Sequence, residues 1–129
     1  MIVVDSSVWI SRLHNVVTPE TQKFDEIEDL DDIILGDIVL LEILRGTRDD
    51  KNAENVRRKL QDFAPVSMLS PNLAVEAARN YRILRERGRT LSKTPDLIIG
   101  TYCIVNGYSL LQRDKDYMPM ADHLGLKLA

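Results

Sequence analysis

Met1-Ile2-Val3-Val4-Asp5-Ser6-Ser7 opens the chain with three β-branched residues that run straight into an acid and two serines. An apolar run this short, bounded by polar residues, reads as a buried strand, because a strand covered on both faces has no polar alternation. It ends at Asp5. In open parallel sheets, sites form just beyond the carboxyl ends of the strands, so Asp5 stands where a site is expected. Ser6 and Ser7 are small and can hydrogen-bond a carboxylate or a bound water. The same stretch has no basic n-region and no small-residue cleavage site, so no signal peptide is expected and the cytoplasm is the expected compartment.

Outward from this strand, helical and extended signals alternate. Thr18-Pro19-Glu20 supplies an N-cap, a first-turn proline and a first-turn acid, with Phe24, Ile27 and Leu30 following at helical spacing. Ile33-Ile34-Leu35, stopped by Gly36, predicts a second strand. Asp37 is placed to cap a helix through about Leu44, ended by Gly46. A further helix is expected from about Asp50 to Phe63, with Ala53, Val56, Leu60 and Phe63 on one face and Pro65 beyond. Val66 to Leu69 is a third strand candidate. Ser70-Pro71 opens the longest helix, whose apolar face is Leu73, Ala74, Ala77, Ala78, Tyr81 and Leu84, and Gly88 stops it. After a polar loop to Lys93, Thr94-Pro95-Asp96 repeats the cap-and-proline start for a helix to about Val105. Ser109 to Leu111 is a fourth strand, and Leu126 to Leu128 a candidate fifth. Short apolar strands alternating with helices predict an α/β fold, a three-layer α/β/α sandwich around a mostly parallel sheet. With no repeat, low-complexity tract or linker, residues 1–129 are expected to form one domain.

Composition narrows the function. A hydrophobic fraction of 44% and a charged fraction of 29% are those of a soluble globular chain. The longest apolar runs, at Ile38-Val39-Leu40-Leu41 and Leu97-Ile98-Ile99, are too short to span a bilayer. Cys103 is the only cysteine, which excludes an internal disulfide, and with two distant histidines it makes no zinc pattern. The net charge of -3 is unevenly spread. Residues 1–44 hold ten acids and two bases, residues 45–93 six acids and twelve bases, and residues 94–129 four acids and three bases. A basic middle on an acidic protein is either an electropositive surface for a polyanion or a solvated helical face of one sign.

Four acids stand out: Asp5, Glu42, Asp96 and Asp114. Glu42 lies in Ile38-Val39-Leu40-Leu41-Glu42-Ile43-Leu44, apolar on nearly every face. A carboxylate there must be paired, bind a metal, become neutral or reach solvent with its tip. Arg45, three residues on, is the candidate partner. Asp96 occupies a first helical turn, where the macrodipole and free amides favour an ionised acid whether or not it does chemistry. Asp114 sits just past the fourth strand, with Asp116 two residues away. No histidine or cysteine accompanies these acids. An all-oxygen carboxylate set suits a hard divalent ion, Mg²⁺ or Mn²⁺, and the chemistry such a site serves is phosphodiester hydrolysis.

Four motifs also carry a family resemblance. Asp5-Ser6-Ser7-Val8-Trp9-Ile10 behind a short apolar strand, Glu42-Ile43-Leu44-Arg45-Gly46, Asp96-Leu97-Ile98-Ile99, and Leu111-Gln112-Arg113-Asp114-Lys115-Asp116-Tyr117 follow one another in the order and spacing of PIN-domain nucleases, which the chain resembles along its whole length, VapC-type toxins in particular. The tail His123-Leu124-Gly125-Leu126 fits the same pattern. The resemblance implies that Asp5, Glu42, Asp96 and Asp114 are catalytic, metal-binding acids, with Asp116 an accessory or alternative fourth ligand and Ser7 and Arg45 as accessory residues. It implies an Mg²⁺- or Mn²⁺-dependent endoribonuclease acting on structured cellular RNA such as transfer RNA. It further implies a homodimer restrained by a VapB-like antitoxin. Gly100-Thr101, where alanines are common, and Gln112, where a threonine is common, depart from the pattern.

Within this reading, Arg82, Arg85, Arg89 and Lys93 are candidates to hold RNA phosphates, through contacts that weaken with salt. Trp9 and Tyr117, near strand ends, either stack on a base or pack in the core. Two alternatives belong to other classes. A catalytically silent PIN-fold module would act by binding alone. A phosphoacceptor receiver domain would need an acid after the third strand, where this chain has Ser70-Pro71.

Overall fold

β1 (Ile2–Val4) is paired along both of its edges, and the rest of the architecture is arranged around it. In the computed structural model the described residues are 1–91 and 93–129; Ser92 lies outside them. The chain continues through α1 (Ser6–Leu13), α2 (Pro19–Asp25), β2 (Ile33–Ile34), α3 (Asp37–Arg45), α4 (Asp50–Lys59), α5 (Pro71–Glu86), α6 (Thr94–Asn106), β3 (Ser109–Leu111), α7 (Met118–Leu124) and β4 (Lys127–Leu128). Two 3₁₀ turns, Leu30–Asp32 and Lys115–Tyr117, fill connections. The strands lie in the order β2-β1-β3-β4, all parallel, with Val3 opposite Ile34 on one side and Leu110 on the other. Successive strand residues point to opposite faces. Val3 and Val4 are each 0% exposed, as is Leu110, so helices cover the sheet on both sides in the expected three layers.

The cap-and-proline signals behave as their chemistry dictates. The Thr18 side chain accepts from the Thr21 amide in a capping box with Pro19 following, and the Ser70 side chain accepts from the Leu73 amide ahead of Pro71. Gly107 and Gly125 end α6 and α7 in the left-handed conformation at φ 70° and 76°.

Other expectations need correction. Val66–Leu69 is not a strand: only Val66 forms a bridge, with Gly36, and the Met68 amide turns to the Asp37 side chain at 3.1 Å. Asp37 is therefore not the cap of α3, which is Gly36; its carboxylate is used by Ile38 and Met68. α4 stops at Lys59 rather than Phe63, with Asp49 as its cap. Thr94 lies inside α6, whose cap position is Lys93 without a side-chain bond. Ala74 and Ala78 on α5 face solvent. α1 and α7 were not anticipated. α1 begins directly at Ser6 because the Asp5 carboxylate is its cap, accepting from the Ser7 amide.

Trp9 belongs to the core. It is 1% exposed, meets Phe24 and Phe63 edge to face at 4.9 and 5.1 Å, and donates its indole N–H to the Val4 carbonyl at 3.1 Å. It clamps α1 onto β1 and has no face open to a base. Gly100 also has a packing reason: a Cβ there would lie 2.7 Å from Met120 Cε, so glycine lets α7 rest on α6. Trp9→Phe keeps most of the ring volume but leaves the Val4 carbonyl without its indole partner. The expected loss is about 1–3 kcal/mol of stability, read from urea unfolding; an unchanged midpoint would refute this role for the indole.

Candidate functional site

Asp5 is positioned twice, by backbone and by side chain. Its amide donates to the Leu111 carbonyl at 2.9 Å, extending the β1–β3 pairing by one residue. Its Oδ2 accepts from the Ser7 amide at 3.1 Å and the Ser7 hydroxyl at 2.6 Å. The Arg113 amide in turn donates to Ser7 Oγ at 3.2 Å, so the segment after β3 is tied to the start of α1. Asp5 is only 4% exposed. It stands where β1 has β2 on one side and β3 on the other, the switch point at which parallel sheets open a crevice.

Asp96 comes from the first turn of α6 and is equally buried at 4%. Its Oδ1 lies 3.3 Å from the Tyr117 hydroxyl, which donates to Asp5 Oδ1 at 2.7 Å. Tyr117 thus joins two acids separated by 91 residues of chain. It is fully buried, which removes it, with Trp9, from the base-stacking candidates. Sequence reasoning missed its link to the acids. The only available signal was its place at the end of the short turn that Asp114 starts.

The fourth-motif acids share one locality. Asp114 caps the 3₁₀ turn by accepting the Asp116 amide on Oδ1 at 2.9 Å, and its Oδ2 accepts from Lys93 Nζ at 3.2 Å. Lys93 Nζ also lies 3.4 Å from Asp116 Oδ2. Asp96, Asp114 and Asp116 each present a carboxylate oxygen within 4.8 Å of the others. The choice between Asp114 and Asp116 is thus not forced, since both face the same space. Glu42, on α3, meets the Ser6 hydroxyl at 3.3 Å and Arg45 at 3.9 Å. Its side chain is 12% exposed and that of Arg45 67%, so the pair lies at a rim, where such contacts contribute little.

The electrostatics follow from this crowding. Burial pushes the Asp96 carboxyl up to about 7, and the charges of Asp5 and Asp114 add to the shift. The helix-start amides that favour the ionised form are outweighed. Burial, then the charge of Asp5, also raises Glu42 above the usual carboxylate range. Hydrogen bonding to Asp114 raises the Lys93 ammonium, and burial with the neighbouring acids keeps the Tyr117 phenol neutral. Two buried side-chain oxygens among the described residues lack any hydrogen-bond partner, Asp96 Oδ2 and Gln112 Oε1. A buried carboxylate oxygen without a donor is costly in a protein that offers nothing else to meet it. An oxygen-only donor set, two deeply buried acids and an unpartnered Asp96 oxygen together fit a hard divalent cation.

The predicted basic residues are dispersed. Lys93 is at the acids. Arg89 is held by Asp122 at 3.2 Å and lies 3.4 Å from the His123 ring nitrogen. Arg82 and Arg85 are exposed on α5, with the Arg85 guanidinium 6.0 Å above the Tyr81 ring. Among the described residues, no helix is long and apolar enough to cross a membrane.

Solved structures share this fold. The fold matches VapBC2 from Rickettsia felis bound to a DNA fragment from their promoter, with a TM-score of 0.79 and 15% identity over 100% of this chain and 98% of that one. It matches FitAcB from Neisseria gonorrhoeae with a TM-score of 0.77 and 17% identity, over 100% and 97% of the two chains. A toxin-antitoxin complex from Klebsiella pneumoniae gives a TM-score of 0.68 and 19% identity, over 91% and 90%. At these identities the matches establish the fold. The PIN domain family model covers residues 2–122, from the strand that leads into Asp5 to α7 beyond Asp116, and the chain belongs to the PIN domain family.

Proposed function

We propose that this protein is a divalent-metal-dependent endoribonuclease and the toxin half of a toxin–antitoxin pair. The observation that carries the reading is the meeting of Asp96, Asp114 and Asp116 carboxylates within 4.8 Å, with Asp5 linked to Asp96 through the Tyr117 hydroxyl and the buried Asp96 Oδ2 left without a donor. Asp5, Glu42, Asp96 and Asp114, with Asp116 beside them, would hold Mg²⁺ or Mn²⁺. Such an ion supplies water activation and charge neutralisation at a phosphodiester.

The protein's own groups account for the rest. Ser7 and Tyr117 hold the Asp5 carboxylate from both oxygens. Glu42, raised above its ordinary range by burial and by the charge of Asp5, is the candidate proton acceptor at the rim of the crevice. Lys93 is the cation closest to the acids and the leading candidate to bind a phosphate. Arg45, exposed one turn from Glu42, can meet the next one. Arg82 and Arg85, exposed on α5, are further candidates apart from the acids, whereas Arg89 must first leave Asp122. The substrate proposed is structured cellular RNA such as transfer RNA. A VapB-like antitoxin is proposed from the likeness to VapBC2 and to the Klebsiella pneumoniae toxin-antitoxin complex, and a homodimeric state from the resemblance to VapC-type toxins.

Purified protein is expected to cleave RNA with Mg²⁺ or Mn²⁺ and to stop when a chelator is added. Asp5→Asn and Asp96→Asn should each lower the rate by at least about a hundredfold, the scale of losing a group that stabilises transition-state charge, with circular dichroism unchanged. Full activity in either variant would remove that residue from the site. An inert wild-type protein that still binds its antitoxin would instead identify a silent binding module.

Asp96 also sets a pH dependence for the metal-free protein. Its unfolded value of 3.8 lies below its folded value of about 7, so the folded state holds the extra proton between them. Its contribution to stability is complete below about pH 4 and is lost as pH rises to about 7, at most about 1.4 kcal/mol per pH unit. Asp96→Asn should flatten this slope in chelator-treated samples followed by thermal melting. A wild-type slope that persists in the variant would mean that another group is responsible.

A further inference from the structure

Among the described residues, Tyr117 is the one whose side chain meets two of the acids while carrying no charge of its own. Its ring is wholly buried, so the ring serves the core; its hydroxyl is a separate matter. Nothing about packing requires an oxygen there, since phenylalanine would fill the same space. The oxygen nevertheless lies 2.7 Å from Asp5 Oδ1 and 3.3 Å from Asp96 Oδ1.

Counting lone pairs shows what this does. Asp5 Oδ2 already accepts two hydrogen bonds, from the amide and the hydroxyl of Ser7. Oδ1 accepts one, from Tyr117. A carboxylate has about two acceptor sites on each oxygen, so Asp5 keeps a single site open, on Oδ1. Tyr117 thereby decides which way the carboxylate turns and which lone pair it offers. On the other side the same hydroxyl is the sole hydrogen-bond partner found for Asp96 among the described residues, leaving Oδ2 free. Ser7 reaches only Asp5. Lys93 reaches Asp114 and Asp116. Among the described residues, only the Tyr117 hydroxyl lies between the two most buried acids, with its proton on Asp5 and its oxygen 3.3 Å from Asp96 Oδ1.

We infer that the Tyr117 hydroxyl is a positioning group that holds Asp5 and Asp96 in the relative orientation that binds a divalent cation. The inference rests on the proposed metal-dependent reading of the site. Hydrogen-bond partners one step removed from a metal typically alter its affinity or the activity by about 10- to 100-fold when deleted. The effect is thus expected in cation binding, before any effect on the chemical step.

The test is Tyr117→Phe, which removes one oxygen and keeps the ring. Mn²⁺ titrated calorimetrically into the chelator-treated protein should bind about 10- to 100-fold more weakly to the variant than to wild type. RNA cleavage by the variant should fall at low Mn²⁺ and recover when Mn²⁺ is raised to saturation. Equal Mn²⁺ affinity in the two proteins overturns the inference, as does a rate loss that saturating Mn²⁺ does not restore. Should the variant fail to fold, wild-type protein carrying fluorotyrosine serves instead. Of its four tyrosines, the Tyr117 fluorine resonance should move as Mg²⁺ binds; no movement at Mg²⁺ saturation overturns the inference. Failure of the underlying reading looks different: wild-type protein that binds neither Mn²⁺ nor Mg²⁺ removes the metal site, and the role of Tyr117 with it.

Discussion

The parallel pairing of β1 with β3 is the constraint from which the rest of the molecule follows. Val3 lies beside Leu110 and Val4 beside Leu111, and the Asp5 amide closes the ladder on the Leu111 carbonyl. That bond brings the first acid next to the segment that carries Asp114 and Asp116, although more than a hundred residues separate them. The pairing is durable because both strands are buried on both faces, where an unpaired amide or carbonyl would be expensive. α6 enters immediately before β3 and delivers Asp96 from its first turn. The site is therefore a consequence of strand register. A slip of one residue would exchange the faces of every strand side chain and move Asp5 away from its partners.

Such convergence works against folding. Asp5, Asp96, Asp114 and Asp116 crowd carboxyl groups into a space where two of them have lost their water, which disfavours the charged form of Asp96 despite the nearby lysine. The protein applies three local devices. Asp5 and Asp114 act as caps, each accepting a backbone amide. Lys93 spans Asp114 and Asp116. Tyr117 gives its one hydroxyl proton to Asp5 and sets a neutral oxygen beside Asp96. None of the three reaches Asp96 Oδ2. A fold selected for stability alone would have put an amide or an apolar group there, which is why the proposed metal reading rests on this oxygen.

What could be read in the sequence depended on whether the responsible signal was local. Thr18-Pro19 and Ser70-Pro71 announced helix starts because cap and proline act within one turn. Ile2-Val3-Val4 and Ser109-Leu110-Leu111 were legible as buried strands because apolar runs of that length have few other uses. The failures were non-local or masked. Val66–Leu69 is as apolar as a strand needs to be, but the Asp37 side chain claims the Met68 amide and pairing ends at Val66. α1 was hidden because its cap is Asp5, a residue whose position already had a functional explanation. Tyr117 was legible as a base-stacking or core residue but not as a partner of the acids. The hydrogen bond that defines it spans 112 positions, and no spacing rule reaches so far.

The charge distribution shows the same division between pattern and place. Twelve bases between residues 45 and 93 suggested a surface for a polyanion. Three-dimensional neighbours decide which of them can serve. Arg57 lies near Glu54 and Arg89 is held by Asp122, so these cations are partly neutralised within the protein. Lys93 is bound too, but its partners are the acids of the crevice itself. Any cation that takes up those carboxylates competes with the Lys93 ammonium for the same oxygens. Occupation of the crevice would then release a positive charge at its mouth, where a phosphate approaching the site would meet it. An acidic protein needs no broad basic face to hold a polyanion if its own acids, once occupied, free the lysine that had been neutralising them.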